Sequence, residues 1–561
     1  MNKKTNLLGY ILLLFFFSLG ILLRIFKLSE IPQGFNWDEA ANGYNAYSLL
    51  KTGADEFGQP WPIMMKSFGE YKTGIGSIIL VPVIKVLGLS VFSVRLPTAL
   101  FGGGLILAGF FLALQIFKQI IPASLVAGLI AISPWAIHTS RFSLEWYLGL
   151  PLMVFGIGLL ISKIKWRFSL AAIILTFSLY FYYSIKFFIP LFLVFYAVIY
   201  RQSLKKQIKT LTVSFFIGLL CLLPLINSLR QVEWLNREKK VATFVNEDKI
   251  SELNEGIYRQ VVIGLPLIRL FNNKLVFFGK EFTDKYLQHF SPEFLLLGQD
   301  ASSLLEITKV GKIYLISLPF IILGLIEIIK KRHKTDLVLL TWLLLAPIPS
   351  SLTVDSPHGL RAIILLPVLE ILTVKGFLAG FIFIKKNNFI KFVSIVSVII
   401  IYSISLLYFL WQYYLFYPEY TAEFWLDGYK EAVEKTNNYK QNYDRVVFTT
   451  NKGQPHIFLA FFTPIDPATY QHEVINQQNI FNAFIPYLNG VEFRMIRGED
   501  YCLKNTLIID LPQNNDLVER LDIVYIKNRF HPQRKAFELF DTNNPTVQKY
   551  LCPNKLKSAG N

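Results

Sequence analysis

The feature that most constrains this chain is a series of apolar segments of membrane-spanning length, separated by short basic turns. A helix needs roughly 20 mostly apolar residues to cross a bilayer. Segments that meet or approach this are 7–26, 93–117, 121–138, 143–162, 168–185, 187–200, 210–227, 312–329, 336–353, 360–383 and 389–411. Of the 561 residues, 17% are charged and 53% hydrophobic, whereas a soluble chain carries about 25% charge. Lipid is therefore the main solvent. A net charge of +17 would suggest nucleic acid in a soluble protein. Here most basic clusters lie between apolar segments. They read as orientation signals, and no nucleic-acid partner is expected.

Lys3 and Lys4 precede an apolar run that is too long for a signal h-region and has no small-residue cleavage site. This predicts an uncleaved first span with a cytoplasmic N-terminus. The basic turns are Lys163-Lys165-Arg167, Arg201-Lys205-Lys206-Lys209, Lys330-Lys331-Arg332-Lys334 and Lys385-Lys386-Lys391, with Lys118 as a fifth. All five face the cytoplasm if the apolar stretch 75–89 does not cross the membrane. The layout is then about eleven transmembrane helices, with 72–89 as a half-embedded juxtamembrane helix whose Lys72 and Lys85 suit the interface. Loops 27–92 and 228–311, the turns 139–142, 182–187 and 353–361, and everything after 412 fall outside. The expected localisation is integral to a bacterial plasma membrane.

After 412 the apolar runs shorten to strand length, at Arg445–Thr450, Thr506–Leu511 and Leu521–Lys527. Helix-compatible stretches such as Gly428–Asn437 lie between them. This pattern predicts a small extracytoplasmic α/β domain over 412–561, following a polytopic α-helical domain over 1–411. Cys502 and Cys552 can pair if that region is extracytoplasmic. Cys221 reads as a packing residue. No Cys/His spacing suggests zinc, no motif demands a metal or other cofactor, and no nucleotide-phosphate loop occurs in a usable context.

Four groups of polar residues carry possible chemistry, all on the predicted outer side. The first is Asp38-Glu39, within Asn36-Trp37-Asp38-Glu39-Ala40. Neighbouring residues on a helix point about 100° apart, so one acid works and the other supports it. A partly desolvated carboxylate can serve as a general base on a hydroxyl. Equally, acids at a helix start complement the helix dipole. The second is Arg141 and Glu145, four apart, read as sharing a helix face, either as a functional pair or as a simple ion pair. The third is Lys186, which follows the aromatic run Tyr180–Tyr183. The fourth is His358 and Arg361 in Asp355-Ser356-Pro357-His358-Gly359-Leu360-Arg361, suited to a phosphate or to a solvated turn. The loop around Phe271-Asn272-Asn273-Lys274 and Tyr286–Phe294 reads as amphipathic helix with aromatic residues.

Taken in order, these motifs resemble the membrane glycosyltransferases of the GT-C fold. The resemblance is carried by Asp38-Glu39, Tyr71-Lys72 before a half-embedded helix, and Ser93-Val94-Arg95-Leu96-Pro97. Within that fold the chain is similar to glycosyltransferase family 39, with its protein O-mannosyltransferases and aminoarabinose transferases. Asn273-Lys274, His289-Phe290-Ser291-Pro292 and Pro357-His358-Gly359-Leu360-Arg361 resemble a bacterial branch of it. The resemblance spans about residues 1–420. It implies a polyprenyl-phosphate sugar donor, an acceptor hydroxyl and inversion at the anomeric carbon. It also implies Asp38 as general base, with Glu39 beside it. Lys72, Arg141, Lys186, His358 and Arg361 are the implied ligands of the leaving phosphate, with Glu145 where relatives often have Asp. Lys72-Thr73-Gly74 replaces the Lys-Pro-Pro common at this point. The tail does not resemble the β-trefoil insert of eukaryotic O-mannosyltransferases, so a protein acceptor is not implied. Two other classes compete: a transporter or flippase of lipid-linked sugar, which predicts polar groups at mid-bilayer and repeat symmetry, and a non-catalytic membrane scaffold with a binding tail.

Overall fold

The structure is a computed structural model that describes residues 3–143, 146–231, 242–245, 247–262, 273–383, 388–475, 477, 485–527 and 531–552. Glu145, Phe271-Asn272 and Lys385-Lys386 lie outside the described residues. The chain divides into two compact units. One comprises Met1–Phe26 with Thr98–Tyr413, and the other Lys27–Pro97 with Tyr414–Asn561. They are called here the membrane unit and the sheet unit. The loop between the first two predicted spans thus belongs to the same unit as the C-terminal sheet.

In the membrane unit, each segment read as a span contains helix, but 168–185 and 336–353 are interrupted: Arg167–Ser178 ends before Tyr183–Lys205, which also takes in 187–200, and Lys334–Leu345 ends before Ile348–Ser351. Six helices among the described residues are long and apolar enough to cross a membrane: Thr5–Ile25, Val91–Phe117, Tyr183–Lys205, Ile208–Arg230, Gly359–Gly380 and Asn388–Thr421. Much of their exposed surface is apolar side chain; Leu14 is 66% exposed and Phe389 73%. Such faces suit lipid and would be unstable in water. Where two helices meet closely, small residues make room. A Cβ on Gly376 would lie 1.8 Å from the Phe320 carbonyl oxygen, and one on Gly324 would lie 2.1 Å from that of Leu372. Only glycine lets Ser317–Lys331 and Leu366–Phe383 approach so closely. The segment 121–138, read as one span, is two helices. Ser133 ends Ile120–Ile132, and its hydroxyl accepts from the Ala136 N–H at the start of Pro134–Thr139. Pro134 suits that first helical position, because the N–H it lacks would have no partner there.

The core of the sheet unit is a six-stranded mixed sheet. Its spatial order is Tyr487–Leu488, Val491–Arg494, Arg445–Thr449, Thr506–Asp510, Lys535–Asp541 and Asp522–Tyr525. Arg445–Thr449 is parallel to both its neighbours, and the remaining pairs are antiparallel. The three expected strands are present, together with three that their local sequence does not mark. Two of these are short and joined through the Asn489-Gly490 turn. The third, Lys535–Asp541, carries Glu538 inside an apolar core, where Arg520 and Lys535 hold it. A buried charge breaks the apolar pattern by which a strand is recognised. Cys502 and Cys552 form a disulfide.

Helix Trp37–Thr52 packs against this domain with its small residues inward. A Cβ on Gly43 would meet Phe461 at 2.6 Å, and the Tyr44 hydroxyl donates to the Ile465 carbonyl at 3.0 Å. After it come a hairpin, Met64–Ser67 with Glu70–Thr73, and a 13-residue helix, Ile75–Leu87. The expectation of a helix from residue 72 is corrected here. Lys72 and Thr73 are strand residues paired to Met65 and Met64, and Gly74 precedes the helix.

Candidate active site

Helix Trp37–Thr52 starts with a complete capping box. The Asn36 side-chain oxygen accepts from the Asp38 N–H at 2.9 Å, and the Glu39 carboxylate accepts from the Asn36 N–H at 3.3 Å. This satisfies two otherwise unpaired donors at the helix end. Glu39 is fully buried and forms a two-pronged pair with Arg95, at 2.9 Å for each contact. Arg95 is equally buried. Its other hydrogens go to the carbonyls of Leu28, Pro32 and Gly34. One guanidinium thus ties the 27–35 segment to the helix start, and Glu39 supplies its counter-charge. A buried pair of this kind is tolerable only when its donors and acceptors are satisfied.

Asp38 is placed differently. Its side chain is 36% exposed, and it pairs with Lys72 Nζ at 2.8 Å. Lys72 comes from the hairpin strand Glu70–Thr73, and its ammonium also lies 5.7 Å from the Phe68 ring centre. Asp38 is therefore a partly exposed carboxylate at a helix N-terminus, with the Lys72 cation against it.

A third carboxyl lies deeper in the same unit. Glu56 is buried, accepts from Asn45 Nδ2 at 2.9 Å and from the Tyr470 hydroxyl at 3.0 Å, and is pushed up to about 7 by burial. It links the 53–63 loop to helix Pro467–Ile475. Nothing in the local sequence singles it out, because Tyr470 is more than four hundred positions away.

In the membrane unit, Arg141 is fully buried in the bend after Pro134–Thr139. It donates to the carbonyls of Leu23, Arg24 and Phe26. A cation there complements the end of the first helix, Lys3–Ile25, where carbonyls lack helical partners. The expectation that Arg141 and Glu145 share one helix face is not met at Arg141, which lies in a bend; Glu145 itself is outside the described residues. Lys186 lies half-buried in the first turn of Tyr183–Lys205.

His358 caps the short helix Gly359–Ala362 through Nδ1, which accepts from the Leu360 N–H. Burial and the nearby Arg361 and Lys312 charges hold its imidazole well below its ordinary range. Arg361 donates to the Thr353 hydroxyl at 2.6 Å and to the Asp355 carbonyl at 2.8 Å, closing the 353–361 turn. A buried pair that the sequence did not reveal supports this turn. Asp300 binds Lys312 at 2.7 Å and accepts from the Gly359 N–H at 2.9 Å. No group of three or more His, Cys, Asp or Glu able to hold a metal occurs among the described residues.

No protein-family model and no curated protein matches this chain by sequence. Solved structures do match. The chain aligns with ArnT from Cupriavidus metallidurans in the apo state at TM-score 0.54 and 12% identity, over 95% of this chain and 98% of that one. Against the same protein bound to undecaprenyl phosphate the TM-score is 0.53 at 11% identity, over 96% and 99%. The fold is the GT-C fold. At 95% of this chain, the alignment extends past residue 420, beyond the part where the sequence resemblance could be read.

Proposed function

We propose that this chain is a glycosyltransferase that moves a sugar from a polyprenyl-phosphate donor to an acceptor hydroxyl on the extracytoplasmic face, with Asp38 as general base. The observation that carries this is the unequal state of the acidic pair. Glu39 is committed to Arg95 and the helix cap, which leaves Asp38 as the accessible carboxylate with a cation 2.8 Å away. The donor class is supported by the shared fold with a protein crystallised with undecaprenyl phosphate. The sidedness is supported by the basic turns, which share one face in the eleven-span reading, and by the Cys502–Cys552 disulfide, which suits an oxidising compartment.

In this reading the acceptor oxygen attacks the anomeric carbon as its proton passes to Asp38. A carbon–oxygen bond forms on one face of the sugar, and the bond to the phosphate oxygen breaks on the other. The electron pair leaves on polyprenyl phosphate. Lys72 serves both partners. Paired to Asp38 it orients the carboxylate; drawn to the donor phosphate, it offsets the charge that develops on the leaving group. Lys186, His358 and Arg361 are carried by the family resemblance as phosphate ligands. Arg141 has the weakest claim, since its donors already serve three carbonyls. The test is transfer by purified, lipid-reconstituted protein from a panel of polyprenyl-phosphate sugars. Asp38→Asn is expected to abolish transfer while the protein stays folded and inserted. Near wild-type transfer by that variant would refute the base assignment.

A further inference from the structure

The hairpin that presents Lys72 has an unusual turn. Ser67 pairs with Glu70, so the loop is the two residues Phe68 and Gly69, and both have positive φ, 50° and 79°. That is the pattern of a type I′ turn, which favours Asn or Gly at its first position because a bulky side chain is disfavoured in the left-handed region. Phenylalanine is a costly choice there, and a backbone outlier of this kind points to a use for the side chain. The ring is half-buried. Lys72 Nζ lies 5.7 Å from its centre. The His456 ring, at the start of helix Pro455–Phe462 in the C-terminal sheet domain, meets it edge-on at 5.9 Å.

We infer that Phe68 is a positioning residue, whose ring, seated against His456, holds the Lys72 ammonium at the distance where Asp38 and a donor phosphate can share it. A cation held against a ring face loses rotamer freedom in addition to what its ion pair removes. The C-terminal domain then contributes to the site by fixing the hairpin tip. The consequence for transfer rests on the glycosyltransferase reading above; the placement of Lys72 does not.

The experiment has an arm for each. Reductive 13C-methylation of the folded protein gives a dimethyl-lysine resonance for Lys72, assigned by its loss in Lys72→Arg. The ring current of Phe68 is expected to shift it. Phe68→Leu keeps an apolar side chain and removes the ring; Phe68→Tyr keeps the ring. The Lys72 signal should move to the position of the exposed lysines in Phe68→Leu and stay in Phe68→Tyr. Transfer should fall roughly two- to fivefold in the first, the range set by an ordinary cation–ring contact, and hold in the second. Phe68→Met replaces Phe68→Leu if the latter does not fold. An unmoved Lys72 signal in the ring-less variant overturns the inference, as does equal loss of transfer in both variants. If wild-type protein transfers nothing, the glycosyltransferase reading fails, and the resonance still decides the role of Phe68.

Discussion

Two ion pairs grow from the same helix start and differ in kind. Glu39–Arg95 is wholly buried, two-pronged and tied to three backbone carbonyls. Asp38–Lys72 leaves the carboxylate about one-third exposed. The first can only hold structure, because no substrate atom can reach it without opening the core. The second has room for an exchange of partners. The one-residue offset along a helix, about 100° of rotation, is enough to separate a buried acid from a partly exposed one.

Exchanging the two phenotypes would break this comparison. Asp38→Asn is expected to lower transfer by about 10²–10⁴-fold, the usual contribution of a general base, with a thermal unfolding midpoint in detergent close to that of wild type. Arg95→Met should do the reverse. It leaves the Glu39 carboxylate buried without its cation, a loss on the order of 3–5 kcal/mol, seen as a lower midpoint and poor recovery of folded protein. A stable Arg95→Met protein would refute the structural role. Lys72→Met sits between them. Its partly exposed pair is worth under about 1 kcal/mol to stability, so folding should hold. Transfer should drop roughly 10- to 100-fold for loss of a charge-assisted hydrogen bond to the phosphate, with Lys72→Arg recovering part of it.

Glu56 sharpens the contrast as a buried acid that accepts from the neutral Asn45 and Tyr470. Its carboxyl is raised from 4.5 to about 7 by burial. Between those values the folded chain keeps a proton that the unfolded chain has released. Its contribution to stability therefore falls as pH rises through that window. The unfolding midpoint should decline from about pH 5 to pH 8 in wild type, and Glu56→Gln should flatten the decline. An unchanged slope would mean that another group carries it.

Much of this was legible in the chain. Length and polarity placed the helices, because a backbone in lipid must satisfy its own hydrogen bonds and a helix does so locally. The acidic pair and its unequal division followed from helix geometry. Three of the six strands were readable from their apolar runs; Lys535–Asp541 was hidden by Glu538, whose charge is paid for by Arg520 and Lys535. Arg141 read as a substrate ligand because a cation in an apolar setting suggests function. Its three carbonyl acceptors, more than a hundred positions earlier, give it a structural use that local sequence does not contain.

The sequence by itself determined that the chain lives in a membrane and that Asp38-Glu39 opens a helix. These are properties of local composition and period, which each segment carries alone. Tertiary structure decided which acid is buried, that the first loop belongs with the C-terminal sheet, and that Lys72 reaches Asp38 from a hairpin and not from a helix. Those outcomes depend on contacts between residues tens to hundreds of positions apart, as in Asp38 with Lys72, Glu39 with Arg95 and Glu56 with Tyr470. A pair's chemistry is set by who its partner is and how much water remains, and neither is written in its neighbours along the chain.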